Sequence, residues 1–212
     1  KQFQTPDYAA VANYVYHLNA KKFADMLKEH CQKNLGVEFI CDHVTKVNED
    51  VNGLIKSVST IKNGNITAEL FIDCSGSKAI LLGEHYQVPF ESKQSILFND
   101  TAIAVQIPYA TADAPINSHT VSTATKFGWI WEIGLPTRKG VGHVYSSTHC
   151  SDVEAKQVLQ NYIKQQLPNL NFDDIQFNKL KFNPGHRALF WHKNCVAVGM
   201  AAGFIEPLEA SA

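Results

Sequence analysis

Residues 21–31 place Phe23, Ala24, Leu27 and His30 or Cys31 at the three- and four-residue spacing that lines up on one side of a helix. Asn19 or His17 is available to cap its start, and Asn34-Leu35-Gly36 to stop it. An amphipathic helix is expected there. The pattern then changes: residues 37–40, 44–47, 54–60 and 66–72 are short apolar-rich runs parted by the turn formers Asn48-Glu49-Asp50, Asn52-Gly53 and Asn63-Gly64-Asn65. They predict a strand followed by a small meander. Leu70-Phe71-Ile72 is continuously apolar, which suits a strand covered on both faces, and it runs into the small-residue turn Asp73-Cys74-Ser75-Gly76-Ser77.

Beyond residue 95 the texture becomes sheet-rich. Residues 101–107, 120–124, 129–135 and 141–147 read as short strands with little helix between them, as in an antiparallel sheet. Residues 152–167 read as a helix, with Ser151 as N-cap, Glu154 in a capping-box position and Pro168 just past the end. Residues 195–198 form a second buried strand, leading to Gly199-Met200-Ala201-Ala202-Gly203 and a helix start at Glu206-Pro207. The fold class is α/β (α+β), with two strand-to-glycine junctions bracketing the sheet-rich stretch.

Composition narrows the function. A chain of 212 residues with 45% hydrophobic positions buries a sizeable core. Nineteen basic against twenty acidic residues give a formal net charge of -1, which argues against nucleic acid or an anionic membrane as partner. No apolar run approaches the roughly 18 residues of a spanning helix, so a soluble protein is expected. Five widely spaced cysteines without a Cys-x-x-Cys suit a reducing cytoplasm, and nine histidines without a His-Glu-x-x-His pattern give no metal site. The start at Lys1 and the stop just after the Glu206-Pro207 helix start read as a piece cut at both ends.

In open α/β sheets, ligands gather at the carboxyl ends of strands, where small residues let the backbone approach a cofactor. Both junctions have that form. At the second, the N–H groups of the proline-started helix offer an anion site, although Ala201, Ala202 and Gly203 equally suit tight packing of helix on sheet. At the first, Asp73 is either a turn cap or part of a site. Glu206 and Glu209, three apart, share one side of a helix start; they are either a base or substrate anchor, or charges favoured by the helix dipole. Trp129 and Trp131 face one side of a strand, as a ligand wall or an aromatic core pair. Gly140-Val-Gly142 opens no helix and is assigned to a hairpin turn; the chain has no Gly-x-Gly-x-x-Gly.

Taken together, His17-Leu-Asn-Ala-x-x-Phe-Ala-x-x-Leu27, Leu70-Phe-Ile-Asp-Cys-Ser-Gly76, Gly128-Trp-Ile-Trp-Glu-Ile133, Gly140-Val-Gly-His-Val-Tyr-Ser-Ser147, Asn194-Cys-Val-Ala-Val-Gly199 and Ala202-Gly-Phe-Ile-Glu-Pro-Leu-Glu-Ala-Ser211 resemble, in order, the flavin-dependent tryptophan halogenases. The resemblance implies an incomplete FAD/NAD(P)-binding monooxygenase-type fold. Residues 1–94 and 183–212 would belong to the FAD-binding domain, and 95–182 to an antiparallel subdomain covering flavin and substrate. It implies FAD reduced by a separate flavin reductase, O2, chloride or bromide as substrate, and a small aromatic acceptor, tryptophan or a related indole. It assigns Glu209 as the active-site glutamate and the amides of Ser211 and Ala212 to the halide. It puts Val44, Asp73, Ser75, Gly76, Gly199, Ala202 and Gly203 against the flavin, and Trp129, Trp131 and Phe204 on the substrate side.

Two positions depart from the family pattern: Gly134 stands where a proline is usual, and His143 where a tyrosine is usual. The family's essential lysine lies upstream of the matched motifs, so no lysine of this chain is assigned, and this piece alone is expected to be inactive. An FAD-dependent aromatic monooxygenase of the same fold and a noncatalytic flavin-binding module are the alternatives.

Overall fold

The computed structural model describes residues 16–205. The expected first helix is α1, Ala20–Asn34, capped by the Asn19 side chain, which accepts the Lys22 N–H at 3.3 Å. It stops where the Leu35 N–H returns to the Cys31 carbonyl and Gly36 turns to a φ of +66°. Its stripe of Phe23, Met26 and Leu27 is exposed; no residue of the helix is buried. The strand expected at residues 37–40 does not form. A strand exists through its neighbour's hydrogen bonds, and among the described residues none pairs with this run.

The meander forms as β1 (Val44–Glu49), β2 (Ile55–Thr60) and β3 (Gly64–Thr67), paired antiparallel in that order. The run 66–72 is two strands, not one: β3 ends at Thr67 and β4 is Phe71–Asp73, in another sheet. Asn194 helps hold the break. Its amide donates to the carbonyls of Glu69 (3.1 Å) and Ile55 (2.9 Å), while its oxygen accepts the Ile55 N–H (3.0 Å). One side chain thus ties the meander to the strand that follows it in the Asn194-Cys195 motif. The expectation that Leu70-Phe71-Ile72 is covered on both faces is also corrected: Phe71 is buried, whereas Leu70 and Ile72 are about half exposed.

After β4 the chain makes a π-helical turn, Ile80–His85, then β5 (Phe90–Ser92). The sheet-rich stretch follows as β6 (Thr101–Ile107), β7 (Val121–Thr125), β8 (Gly128–Leu135), β9 (Arg138–Tyr145), α2 (Asp152–Gln166) and β10 (Asn178–Lys181). Its five strands make one antiparallel sheet in the order β10-β6-β9-β8-β7; β10 is an unexpected addition. The Ser151 hydroxyl caps α2 by accepting the Glu154 N–H. Ala155, Leu159 and Ile163 of α2 pack on Ile103, Val105, Ile107, Ile130 and Val141 of the sheet, all buried. Each buried Leu, Ile or Val contributes roughly 1.5–3 kcal/mol. Gly140 and Gly142 lie inside β9 and do not form a hairpin turn; the β8–β9 turn is at Pro136-Thr137, beyond the last pair Leu135–Arg138.

The chain closes with β11 (Gly185–Arg187), β12 (Trp191–His192), β13 (Cys195–Ala197), a 3-10 turn at Gly199–Ala201 and β14 (Gly203–Phe204). These make two further sheets, β14-β11-β5 and β12-β13-β4, and β13 runs parallel to β4. A second core of Ile55, Phe71, Leu82, Val88, Cys195, Ala197 and Ala201 lies beneath them. No described helix is long and apolar enough to cross a membrane.

Candidate functional site

Because β4 and β13 are parallel neighbours, the two turns marked in the sequence leave the same end of the sheet. The Val198 N–H donates to the Asp73 carbonyl at 3.0 Å, which locks them side by side. Gly76 has a φ of +71° and Gly199 a φ of +62°, and a Cβ at either would meet nothing within 4 Å. Both glycines therefore turn bare backbone toward open space, the arrangement that admits a cofactor to the main chain.

The side chains beneath hold the turns rather than face that space. One Asp73 oxygen accepts the Ser75 N–H (3.0 Å) and hydroxyl (2.5 Å); the other accepts the N–H groups of Leu81 and Leu82, both at 2.9 Å. The Ser75 oxygen in turn accepts the Ile80 N–H at 2.7 Å. Asp73, buried at 2% exposure, is thus a turn cap whose carboxylate is fully used. Ala202 is engaged through its backbone, its N–H bonding Gly199 and its carbonyl accepting from Arg187 N–H at 2.7 Å. Gly203 answers a packing need: a Cβ there would sit 2.6 Å from the Gly185 carbonyl oxygen of β11. Val44 lies exposed at the start of β1, in a different sheet from β4 and β13.

A cavity of about 250 Å³ adjoins the two turns. Ser77 and Met200, which directly follow the two glycines, line it together with Phe90, Phe182, Arg187 and Phe204. Phe204 meets Phe182 edge-to-face, with ring centroids 5.3 Å apart. Arg187 is the residue the sequence reading missed. It is one of only two arginines in the chain, with Arg138, and this scarcity beside the apolar Ala188-Leu189-Phe190-Trp191 was the available signal.

Trp129 and Trp131 stand on one face of β8 with centroids 6.1 Å apart. Trp131 lies across Gly142 of β9, where a Cβ would come within 2.1 Å of the indole. That explains a glycine inside a strand. Neither tryptophan lines the cavity at the two turns. On the opposite face of β8, Glu132 is buried, accepting from Lys139 Nζ (2.7 Å), Gln166 Nε2 (2.7 Å) and the Tyr162 hydroxyl (3.0 Å). Burial alone would raise its pKa, but these three hydrogen bonds and the Lys139 charge outweigh it, and the net shift is downward. This cluster borders a separate cavity of about 340 Å³ between Tyr109, Pro115 and α2.

The two departures from the family pattern have local explanations. A Cβ at Gly134 would lie 2.9 Å from Ile116 Cγ2 and 3.0 Å from the Tyr109 hydroxyl, so any side chain there must displace one of them. His143, 1% exposed, has Nδ1 3.0 Å from the Ala155 carbonyl and Nε2 2.9 Å from the Thr125 hydroxyl. Neutral imidazole satisfies both, donating from Nδ1 and accepting at Nε2. Burial lowers its pKa, against a smaller opposing effect of the Ala155 carbonyl. The unfolded chain therefore takes up a proton before the folded one as pH falls below about 6.5. Stability is expected to be full above that pH and to decline below it. Urea unfolding at pH 7.5 and 5.5 measures this, and His143→Phe is expected to show a shallower decline; an equal decline in both proteins would refute the assignment.

Glu206, Glu209, Ser211 and Ala212 lie outside the described residues. The sequence model of the tryptophan halogenase family matches residues 1–212. The tryptophan 6-halogenase SttH of Streptomyces toxytricini is 37% identical over 198 residues, covering 93% of this chain and 37% of its own length. The crystal structure of a tryptophan halogenase from Shewanella frigidimarina superposes with a TM-score of 0.86 at 54% identity, over 92% of this chain and 37% of that one. Tar14, a tryptophan C-6 flavin-dependent halogenase from taromycin biosynthesis, superposes with a TM-score of 0.84 at 36% identity, over 92% of this chain and 37% of its own. The fold and its paired turns thus define a mixed α/β chain of the halogenase type. The chain belongs to the tryptophan halogenase family, and it spans somewhat over a third of the length of these relatives.

Proposed function

We propose that the protein is an FAD-dependent halogenase acting on tryptophan or a related indole, and that this chain contributes the flavin-facing turns. The observation that carries the proposal is the pair of left-handed glycines, Gly76 and Gly199, side by side at the carboxyl ends of parallel strands and open to space. The residues present suit the cofactor: bare backbone where it would approach, and an aromatic cavity beside it. When bound, FAD reduced by a separate flavin reductase supplies the electrons with which O2 and chloride or bromide yield an electrophilic halogen for the ring.

The chain's own residues bind, orient and exclude water. Asp73 and Ser75 hold the first turn in shape, so their part is to position backbone. Gly199, Ala202 and Gly203 form the second turn, and Phe204, Phe90 and Phe182 wall off solvent. Val44 is assigned to the adenine end, Glu209 to orienting the substrate or stabilising its charged ring, and the amides of Ser211 and Ala212 to the halide, all on the family resemblance. Trp129 and Trp131 form the substrate-side wall of the subdomain at 95–182; what supports that division is that the whole five-stranded sheet lies within it. The full encoded protein, incubated with tryptophan, FAD, NADH, a flavin reductase and bromide or chloride, is expected to give a halogenated indole by mass spectrometry. A hydroxylated product, or FAD binding without halide-dependent turnover, would overturn the proposal in favour of a monooxygenase or a binding module.

A further inference from the structure

Arg187 brings together three features. Its side chain lines the cavity at the two turns, and the other residues lining that cavity carry no charge. Its Nε is buried without a hydrogen-bond partner, and Nη1 reaches only the Val88 carbonyl, at 3.0 Å. Among the described residues it forms no ion pair with a carboxylate within 4.0 Å. A partly buried guanidinium with an unpaired donor is costly unless a negative group meets it.

The fold also fixes Arg187 in place. Its backbone N–H bonds the Ala202 carbonyl of the second turn. Its guanidinium lies 5.4 Å from the Phe90 ring and against Gly83, where a Cβ would be 2.4 Å from Nη2. Gly83 belongs to the π-helical turn that Asp73 latches to the first junction. One cation is therefore braced by both junctions.

The walls indicate what kind of anion it meets. Phosphate groups are strongly hydrated and call for several converging charged donors, whereas this cavity presents Phe90, Phe182, Met200 and Phe204 around a single guanidinium, with only the uncharged Ser77 and Asn183 as further polar lining. That combination suits a flat, delocalised anion. We propose that Arg187 is the electrostatic partner of the anionic reduced flavin ring, favouring the reduced over the oxidised cofactor; this rests on the flavin reading above.

The test compares wild type, Arg187→Met and Arg187→Lys in the full encoded protein, titrated with oxidised FAD in air and with dithionite-reduced FAD under anaerobic conditions. In Arg187→Met, affinity for reduced FAD is expected to fall at least about tenfold, the scale of one hydrogen bond to a charged group, with oxidised FAD changed less than about threefold. A tenfold selective loss lowers the bound-flavin midpoint potential by about 30 mV for two electrons. Arg187→Lys is expected to recover part of the selectivity by keeping the charge. Equal losses for both redox forms, or no loss for either, would overturn the assignment and leave Arg187 to a structural or carboxylate-pairing role. Should Arg187→Met fail to fold by circular dichroism, Arg187→Lys and Arg187→Gln carry the same comparison, and equal redox selectivity in wild type and both would overturn it. Wild type that binds neither form of FAD would instead defeat the flavin reading itself.

Discussion

Replacing Glu132 with alanine is expected to destabilise the protein by about 3–5 kcal/mol, the usual cost of breaking a buried ion pair from one side. The Glu132 side chain is 4% exposed and that of Lys139 17% exposed. Removing the carboxylate leaves the Lys139 ammonium with the Gln166 oxygen at 2.7 Å and the Tyr109 ring at 5.5 Å but no opposite charge, and strips the Tyr162 hydroxyl and the Gln166 amide of their acceptor. Glu132→Gln keeps part of the hydrogen bonding without the charge and is expected to fall between. The same carboxylate contributes to acid sensitivity. Its folded pKa is depressed, so its stabilisation is present above the unfolded value near 4.3 and is lost as pH falls through the lower folded value. Urea midpoints at neutral pH decide the matter: a loss under about 1 kcal/mol in Glu132→Ala would show that the cluster adds little.

The second large effect concerns the cofactor. If the flavin lies where we propose, Gly199→Val is expected to weaken FAD binding at least about thirtyfold, because a branched side chain would fill the open space beside the turn, an overpacking cost of roughly 2 kcal/mol. It also strains the backbone, since a φ of +62° disfavours any L side chain by about 1–2 kcal/mol. Gly36→Val separates the two contributions. Gly36 has a φ of +66° and equally open surroundings, but it follows the end of α1 and belongs to none of the described sheets. It should match the stability loss and leave FAD affinity unchanged. Equal FAD affinity in Gly199→Val and wild type would place the cofactor elsewhere.

Much of the local architecture was legible from short-range rules. The stop of α1 at Gly36, the Ser151 cap of α2, the meander around Asn52-Gly53 and Asn63-Gly64, and four of the five strands of the large sheet each follow from residues close together in the chain. The paired turns were marked by their glycines. What failed depended on partners. Residues 37–40 have strand composition but no neighbouring strand among the described residues, and the run 66–72 breaks where Asn194, far along the chain, takes the Glu69 carbonyl. Gly142 looked like a turn and proved to be the space that Trp131 occupies.

Within the site the division is the same. The sequence by itself determined where two small-residue junctions end strands, because glycine's tolerance of positive φ and the apolar run before it are properties of adjacent residues. Only the tertiary structure decided that those junctions, more than a hundred residues apart, stand side by side, through the parallel pairing of β4 with β13. It likewise decided that Asp73 spends its carboxylate on Leu81 and Leu82, and that Arg187 stands without an acidic partner among the described residues. Burial, pairing and charge compensation are properties of groups brought together across the chain, and no local pattern encodes who the neighbour will be.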